Sequence, residues 1–227
     1  MAGRFPSFGA VARGVLWGGV ALVVAFFALV ALYVFVDPVS TLMLARLVEG
    51  RPYERSLVRL SDVSPAAIAA VVASEDATFC SNDGVDWGSL RAALATWSDK
   101  GSSRGASTLT MQTAKNLFLW PGRSVVRKSL EIPMALVLGQ LWPKSRVMEI
   151  YLNVAEWGDG VFGIEAAAER AFHKSAAGLT AREGALLATA LPNPRERDPA
   201  HPKPLQRRHA AEVAERAARH PEALRCL

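Results

Sequence analysis

The stretch VVASEDATFCSNDG (Val71 to Gly84) places an acid where an apolar residue would be expected. Counting back from Glu75 at helical spacing meets Val72, Val71 and Ile68, so the carboxylate shares a face with aliphatic side chains. On such a face it loses solvation, and its pKa rises toward the range in which it can take or give a proton near neutral pH. A single carboxylate of this kind is more often a satisfied structural residue than a catalytic one. The choice turns on what else the chain offers.

Two further segments offer polar groups in register. If Thr108 to Leu117 is helical, then Thr108, Gln112 and Lys115 fall on one stripe of hydroxyl, amide and ammonium. That stripe suits an oxyanion, with Lys115 as the point charge, or an ordinary solvated face. In RSVVRKSLE (Arg123 to Glu131), Arg123, Arg127 and Glu131 recur at four-residue steps, as a phosphate-binding face or a surface ladder of ion pairs would. Two separated acids fit chemistry at a sugar's anomeric carbon, where one removes a proton and the other manages the leaving group. Fixed cations fit a leaving group that departs as phosphate or pyrophosphate.

The elements that must hold these groups begin with an apolar run. Val15 to Val36 reads VLWGGVALVVAFFALVALYVFV, without a charge or a proline, enough for a helix to cross about 30 Å of hydrocarbon. A signal peptide has a shorter apolar region ending at a small-residue cleavage site, whereas this run leads straight into Asp37-Pro38. The expectation is an uncleaved anchor. Arg4 and Arg13 keep residues 1–14 cytoplasmic, with the span at 15–36 and everything after Asp37 outside.

Beyond the anchor, 51% hydrophobic and 21% charged residues exclude a disordered chain. The pattern is mainly α, with no strand alternation over a useful length. Ser64-Pro65 reads as a helix start, and Asp86 as the cap of a helix over Trp87 to Trp97. Ser98 to Ser107 reads as a mobile Gly/Ser-rich loop that could cover the site. A helix is expected over Ser124 to Trp142, kinked or restarted at Pro133. Another follows Pro143, burying Val147, Ile150, Tyr151 and Val154. Thr180 and Glu183 form a capping box and are assigned no chemistry. Residues 205–227 read as a basic helical tail.

The net charge of +5 suits anionic headgroups or a phosphate-bearing substrate, or simply a basic soluble surface. Cys80 and Cys226 lie in a compartment that permits disulfides, and the sequence leaves their pairing open.

On these residues the chain resembles a known family. EDATFCSNDG (75–84), RGASTLTMQTAKNLFLW (104–120), RKSLE (127–131), KSRVMEIYLN (144–153) and GVFGIEAAA (160–168) are similar, in order, to the motifs of the family 51 peptidoglycan glycosyltransferases. The likeness covers roughly residues 45 to 200. It implies a lysozyme-like, mainly helical domain over residues 45–204 whose cleft opens beside the membrane, in an enzyme of the inner membrane. Its implied reaction is polymerisation of lipid II. The acceptor's 4-hydroxyl attacks the anomeric carbon of the growing lipid-linked strand, inverts it to a β-1,4 bond and releases undecaprenyl pyrophosphate.

The resemblance also implies roles. Glu75 is the base, and Glu131 acts at the donor site, directly or through a divalent cation (Mg2+ or Mn2+) near the pyrophosphate. Lys115 and Arg123 bind donor phosphates, with Arg127 and Lys128 beside them. Thr108 and Gln112 are polar cleft residues. Asp76 orients, Phe79 packs, and Asn82 completes the first motif at the substrate. No organic cofactor or nucleic acid is implied; the partners are lipid II, the growing strand, the membrane and other wall-synthesis proteins. Three positions depart from the pattern. Asn82 stands in place of histidine, Ala106 in place of glycine, and Met111 in place of a glutamine near the donor site. A lytic, lysozyme-like enzyme that cleaves peptidoglycan and a non-catalytic wall-synthesis scaffold are the competing readings.

Overall fold

The computed structural model describes residues 8–95, 107–122 and 124–227, apart from the side chains of Phe8 and Leu94. The chain divides into two units, the first ending at Asp37 and the second running from Pro38 to Leu227.

The first unit is helix α1 (Phe8–Leu32). Val15, Leu16, Trp17, Leu22 and Val24 are exposed around it, the pattern of a helix whose solvent is hydrocarbon. Its Gly9–Leu32 part is long and apolar enough to cross a membrane. The helix starts earlier and ends earlier than the apolar run. Tyr33 to Ser40 contain no helix, and Phe35 and Val36 donate back to the Leu32 carbonyl in a turn.

The second unit is a helical domain. Its helices are α2 (Thr41–Val48), α3 (Pro65–Glu75), α4 (Trp87–Ala95), α5 (Leu109–Phe118), α6 (Val125–Leu141), α7 (Lys144–Val154), α8 (Ile164–Phe172), α9 (Ala181–Ala190) and α10 (Pro204–Arg219). Several caps follow the sequence. Ser89 N–H donates to Asp86 Oδ1 at 2.9 Å, Thr108 and Ser124 accept from the N–H groups of Met111 and Arg127, and Thr180 with Glu183 forms the expected capping box. Ser64 differs: α3 starts at Pro65 as expected, but the serine side chain makes no cap bond. Pro133 does not restart its helix, which is helical from Val125 through Leu141. Pro133 and Ser129, whose carbonyl loses its partner, both lie on the exposed side, where water can serve that carbonyl.

A small sheet was not legible in the sequence. β1 (Glu54–Arg55), β2 (Glu156–Gly158) and β3 (Val161–Phe162) pair in the order β1-β3-β2, parallel for β1 with β3 and antiparallel for β2 with β3. Strands this short show no alternation.

Two helix groups build the core. α3 packs on α9 and α10, and α5 packs on α6 and α7. Gly184 lets α9 approach α3 backbone to backbone: a Cβ there would come within 2.6 Å of the Ala67 Cα. Phe79, Tyr151, Trp157 and Phe162 are the largest fully buried side chains. The stretch expected as a tail packs too, because Gln206, Ala210 and Val213 of α10 are buried. A disulfide between Cys80 and Cys226, with Cα atoms 5.4 Å apart, ties the chain end to the loop after α3.

Candidate active site

Glu75 is the last residue of α3, half-buried as its apolar neighbours predict. Gln112 Nε2 of α5 donates to its Oε2 at 3.0 Å, and Ser74 Oγ donates to its Oε1 at 3.1 Å. Burial pushes its pKa above the ordinary carboxylate value. The two hydrogen bonds and the charges of Lys115 and Arg197 oppose that rise without cancelling it. Such a carboxylate holds a proton more readily than one in water.

Behind Gln112 stands Tyr151 of α7, whose hydroxyl donates to Gln112 Oε1 at 3.2 Å. The sequence placed Tyr151 in a buried stripe, and it is buried; its polar end is what that reading missed. The helical position of a tyrosine gives no sign of which residue its hydroxyl meets. Arg197 was missed as well. Its Nη1 donates to the Thr189 carbonyl at 2.6 Å, which holds the guanidinium where its charge reaches Glu75.

The loop after α3 is organised around Asp76. This buried carboxylate accepts from the Leu109 N–H at 3.0 Å, from Thr78 Oγ1 at 3.1 Å and from Asn82 Nδ2 at 3.1 and 3.2 Å. Desolvation raises its pKa, with the Leu109 bond, Asn82, Thr78 and the charge of Lys144 working against it. Thr108 Oγ1 donates to the Gly84 carbonyl at 2.6 Å while accepting from the Met111 N–H. Gly84 has φ +104°, and a Cβ there would lie 2.3 Å from the Ala135 carbonyl oxygen, so only glycine lets the loop touch α6. Lys144 Nζ lies 4.7 Å from the Phe79 ring centroid and donates to the Asn82 carbonyl at 2.7 Å.

These contacts agree with the orienting role expected of Asp76 and the packing role expected of Phe79. Asp76, Phe79 and Thr108 are buried, and Asn82 spends its amide on Asp76, Thr78 and Gly84. Their polar groups and rings are used inside the protein, to set where α3 ends and α5 begins. Gln112 likewise has both ends of its amide engaged by protein groups.

The second acid, Glu131, sits on α6 and is 3% exposed. Arg127 pairs with its Oε1, and Lys128 Nζ donates to its Oε2 at 2.9 Å and to Ser107 Oγ at 2.7 Å. The Arg127–Glu131 step of the ladder read from the sequence is therefore an ion pair, and a buried one. The Lys115 ammonium makes no hydrogen bond or ion pair among the described residues, although its backbone carbonyl accepts from the Leu119 N–H. Burial lowers its pKa, the charge of Glu131 raises it, Arg127 and Lys128 lower it, and Glu75 raises it. Its ammonium thus feels both acids and both cations of α6. Arg127 Nε is buried with no partner among the described residues. Arg123 and Ala106 lie outside the described residues, as does most of the loop expected to cover the site.

Met111 is not a gap in this lining. Its side chain is fully buried, packing with Val85 and Ala135 against Leu90, Ile132 and Leu136. One helical step separates it from Gln112, enough to turn it from the site into the core.

The donor set does not fit a resident divalent cation. Both oxygens of Glu131 are occupied by cations, and no cluster of three His, Cys, Asp or Glu residues that could hold a metal occurs among the described residues.

A family model described as Transglycosylase matches residues 41–218. Similar curated proteins carry the name biosynthetic peptidoglycan transglycosylase. That of Rhizobium meliloti (strain 1021) is 49% identical over 203 residues, covering 88% of this chain and 86% of the relative. That of Rhodopseudomonas palustris (strain TIE-1) is 50% identical over 208 residues, covering 91% and 88%. That of Agrobacterium fabrum is 48% identical over 215 residues, covering 93% and 94%. With such likeness along nearly its whole length, and a family match over most of the helical domain, the chain belongs to the transglycosylase family.

Proposed function

We propose that the protein is a peptidoglycan glycosyltransferase that polymerises lipid II, with Glu75 as general base and the Lys115–Arg127–Lys128 cations receiving the leaving diphosphate. The observation that carries this reading is the position of Lys115: an ammonium without a protein partner among the described residues, within electrostatic reach of both Glu75 and Glu131. A half-buried cation left in that state suits an incoming anion.

In the proposed step, Glu75 removes the proton of the acceptor's 4-hydroxyl as that oxygen forms a bond to the anomeric carbon. The carbon–oxygen bond to the diphosphate breaks on the opposite face, which inverts the centre, and the electron pair leaves with the phosphate. Lys115 and the Arg127 Nε, which has no partner among the described residues, balance the charge that develops there. Glu131 fixes Arg127 and Lys128 in place. No step is routed through Mg2+ or Mn2+.

The apolar α1 supports membrane anchoring beside a lipid-linked substrate, which raises their encounter rate through effective concentration. We place the helical domain outside the cytoplasm, as Arg4 and Arg13 before the span and the Cys80–Cys226 disulfide both favour.

The decisive experiment gives detergent-solubilised protein labelled lipid II and resolves glycan strands on a gel. Polymer is expected from the wild type, none from Glu75→Gln, and both should bind lipid II. Normal turnover by Glu75→Gln would remove the base assignment. Soluble muropeptides from purified sacculi, without polymer from lipid II, would establish the lytic reaction in its place.

A further inference from the structure

We propose that Tyr151 is a positioning residue for Glu75: its phenol holds the Gln112 amide with the NH2 group turned toward the carboxylate. This deepens the reading above, since it rests on Glu75 acting as base. The relay joins three helices. Tyr151 on α7 donates to Gln112 Oε1 at 3.2 Å, and Gln112 on α5 donates through Nε2 to Glu75 Oε2 on α3 at 3.0 Å. Tyr151 is 1% exposed, and Gln112 Oε1 is the one hydrogen-bond partner of its hydroxyl among the described residues.

The two orientations of the amide are not equivalent at this place. With NH2 toward Glu75, the phenol hydrogen, the amide oxygen and the carboxylate are all satisfied. With the amide turned over, its oxygen would face the carboxylate, and the phenol hydrogen would be buried with no acceptor. Tyr151 therefore selects the first orientation, although it touches neither Glu75 nor the substrate. Burial, and then the charge of Glu75, hold the phenol pKa well above its ordinary value, so it stays a hydrogen donor at any working pH.

The consequence falls on the protonation state of the base. An amide NH2 stabilises an ionised carboxylate, the form that accepts a proton, whereas an amide oxygen stabilises the protonated acid. The other groups facing Glu75 are Ser74 on its own helix, Lys115 on α5, and Arg197 beyond α9. All three favour the carboxylate, and all three remain in a Tyr151→Phe variant. The phenol is thus the element whose removal frees the amide to turn.

The test uses full-length protein in detergent with 13C-labelled glutamate, the Glu75 carboxyl signal being assigned by its loss in Glu75→Gln. In Tyr151→Phe the Glu75 titration midpoint should move up by roughly half a unit or more. The acidic limb of kcat against pH should move the same way, with KM for lipid II nearly unchanged. Adding Tyr151→Phe to Gln112→Ala should shift the midpoint no further, because the phenol acts only through the amide. A folded Tyr151→Phe protein with an unmoved midpoint would overturn the relay. If that variant does not fold, the wild-type Gln112 side-chain 15N and 13C signals carry the test. One amide orientation throughout the Glu75 titration supports the relay, and reversal upon protonation refutes it. Both titrations are independent of activity, so failure of the base assignment, seen as retained turnover in Glu75→Gln, is read separately.

Discussion

Asp76 Oδ2 accepts the backbone N–H of Leu109 at 3.0 Å, so the residue next to the candidate base caps the helix that carries Gln112 and Lys115. One short contact sets α3 and α5 in register, and through them the spacing of acid and cation. Asp76→Ala is expected to leave the Leu109 and Asn82 donors without their acceptor, costing about 1–3 kcal/mol of stability. Its polymerisation loss should persist well below the melting range. Denaturant unfolding and turnover at low temperature, measured together, separate the two effects.

Glu75→Gln should stabilise the protein while silencing it. The folded-state pKa of Glu75 lies above its unfolded value because of burial, so ionising it opposes folding. For a raised pKa the contribution to stability is full below the unfolded value and is lost as pH climbs through the folded one. The thermal midpoint of the variant should therefore exceed that of the wild type at pH 7. The gap should close as pH falls below the ordinary value of 4.5. Equal midpoints at every pH would contradict a strained, desolvated base.

Lys115→Ala is expected to weaken use of the donor more than use of the acceptor, since the ammonium is assigned to the leaving diphosphate. Separate donor and acceptor analogues measure this, and equal loss at both would remove the assignment.

Gly84→Ala should destabilise by about 1–3 kcal/mol. The added Cβ meets the Ala135 carbonyl at 2.3 Å, and φ +104° is strained for alanine. A fall of roughly 2–4 °C in melting temperature per kcal/mol is expected for a domain of this size. An unchanged midpoint would mean that the loop does not rest against α6.

Cys226→Ser should cost about 2–5 kcal/mol, because the Cys80–Cys226 bond closes a long loop with a sequence separation of 146. Reductant should lower the wild-type melting temperature to the same degree and leave the variant unaffected. A reductant-sensitive variant would place the effect elsewhere.

Much of the architecture was legible because it is local. The Thr180–Glu183 capping box, the Asp86 cap and the start at Pro65 depend on groups a few residues apart, and the structure has them where the pattern predicts. The sheet was not legible, because two- and three-residue strands pair across large separations with no periodicity of their own. α10 was read as a helical tail because its composition is basic and alanine-rich, and most of it is exposed. Burial of Ala210 and Val213 depends on α3 and α9, which lie far away in the chain.

By itself the sequence determined which residues could carry charge chemistry and which faces they occupy: Glu75 on an apolar face, Gln112 and Lys115 on one stripe, Arg127 and Glu131 one turn apart. Helical geometry makes those relations inevitable once the helices form. Only the tertiary structure decided which groups Asp76, Thr108 and Asn82 hydrogen-bond, that Met111 faces the core, and that Tyr151 stands behind Gln112. Hydrogen bonds between helices follow from how the helices pack, and packing sums over the whole chain, so no single segment encodes it.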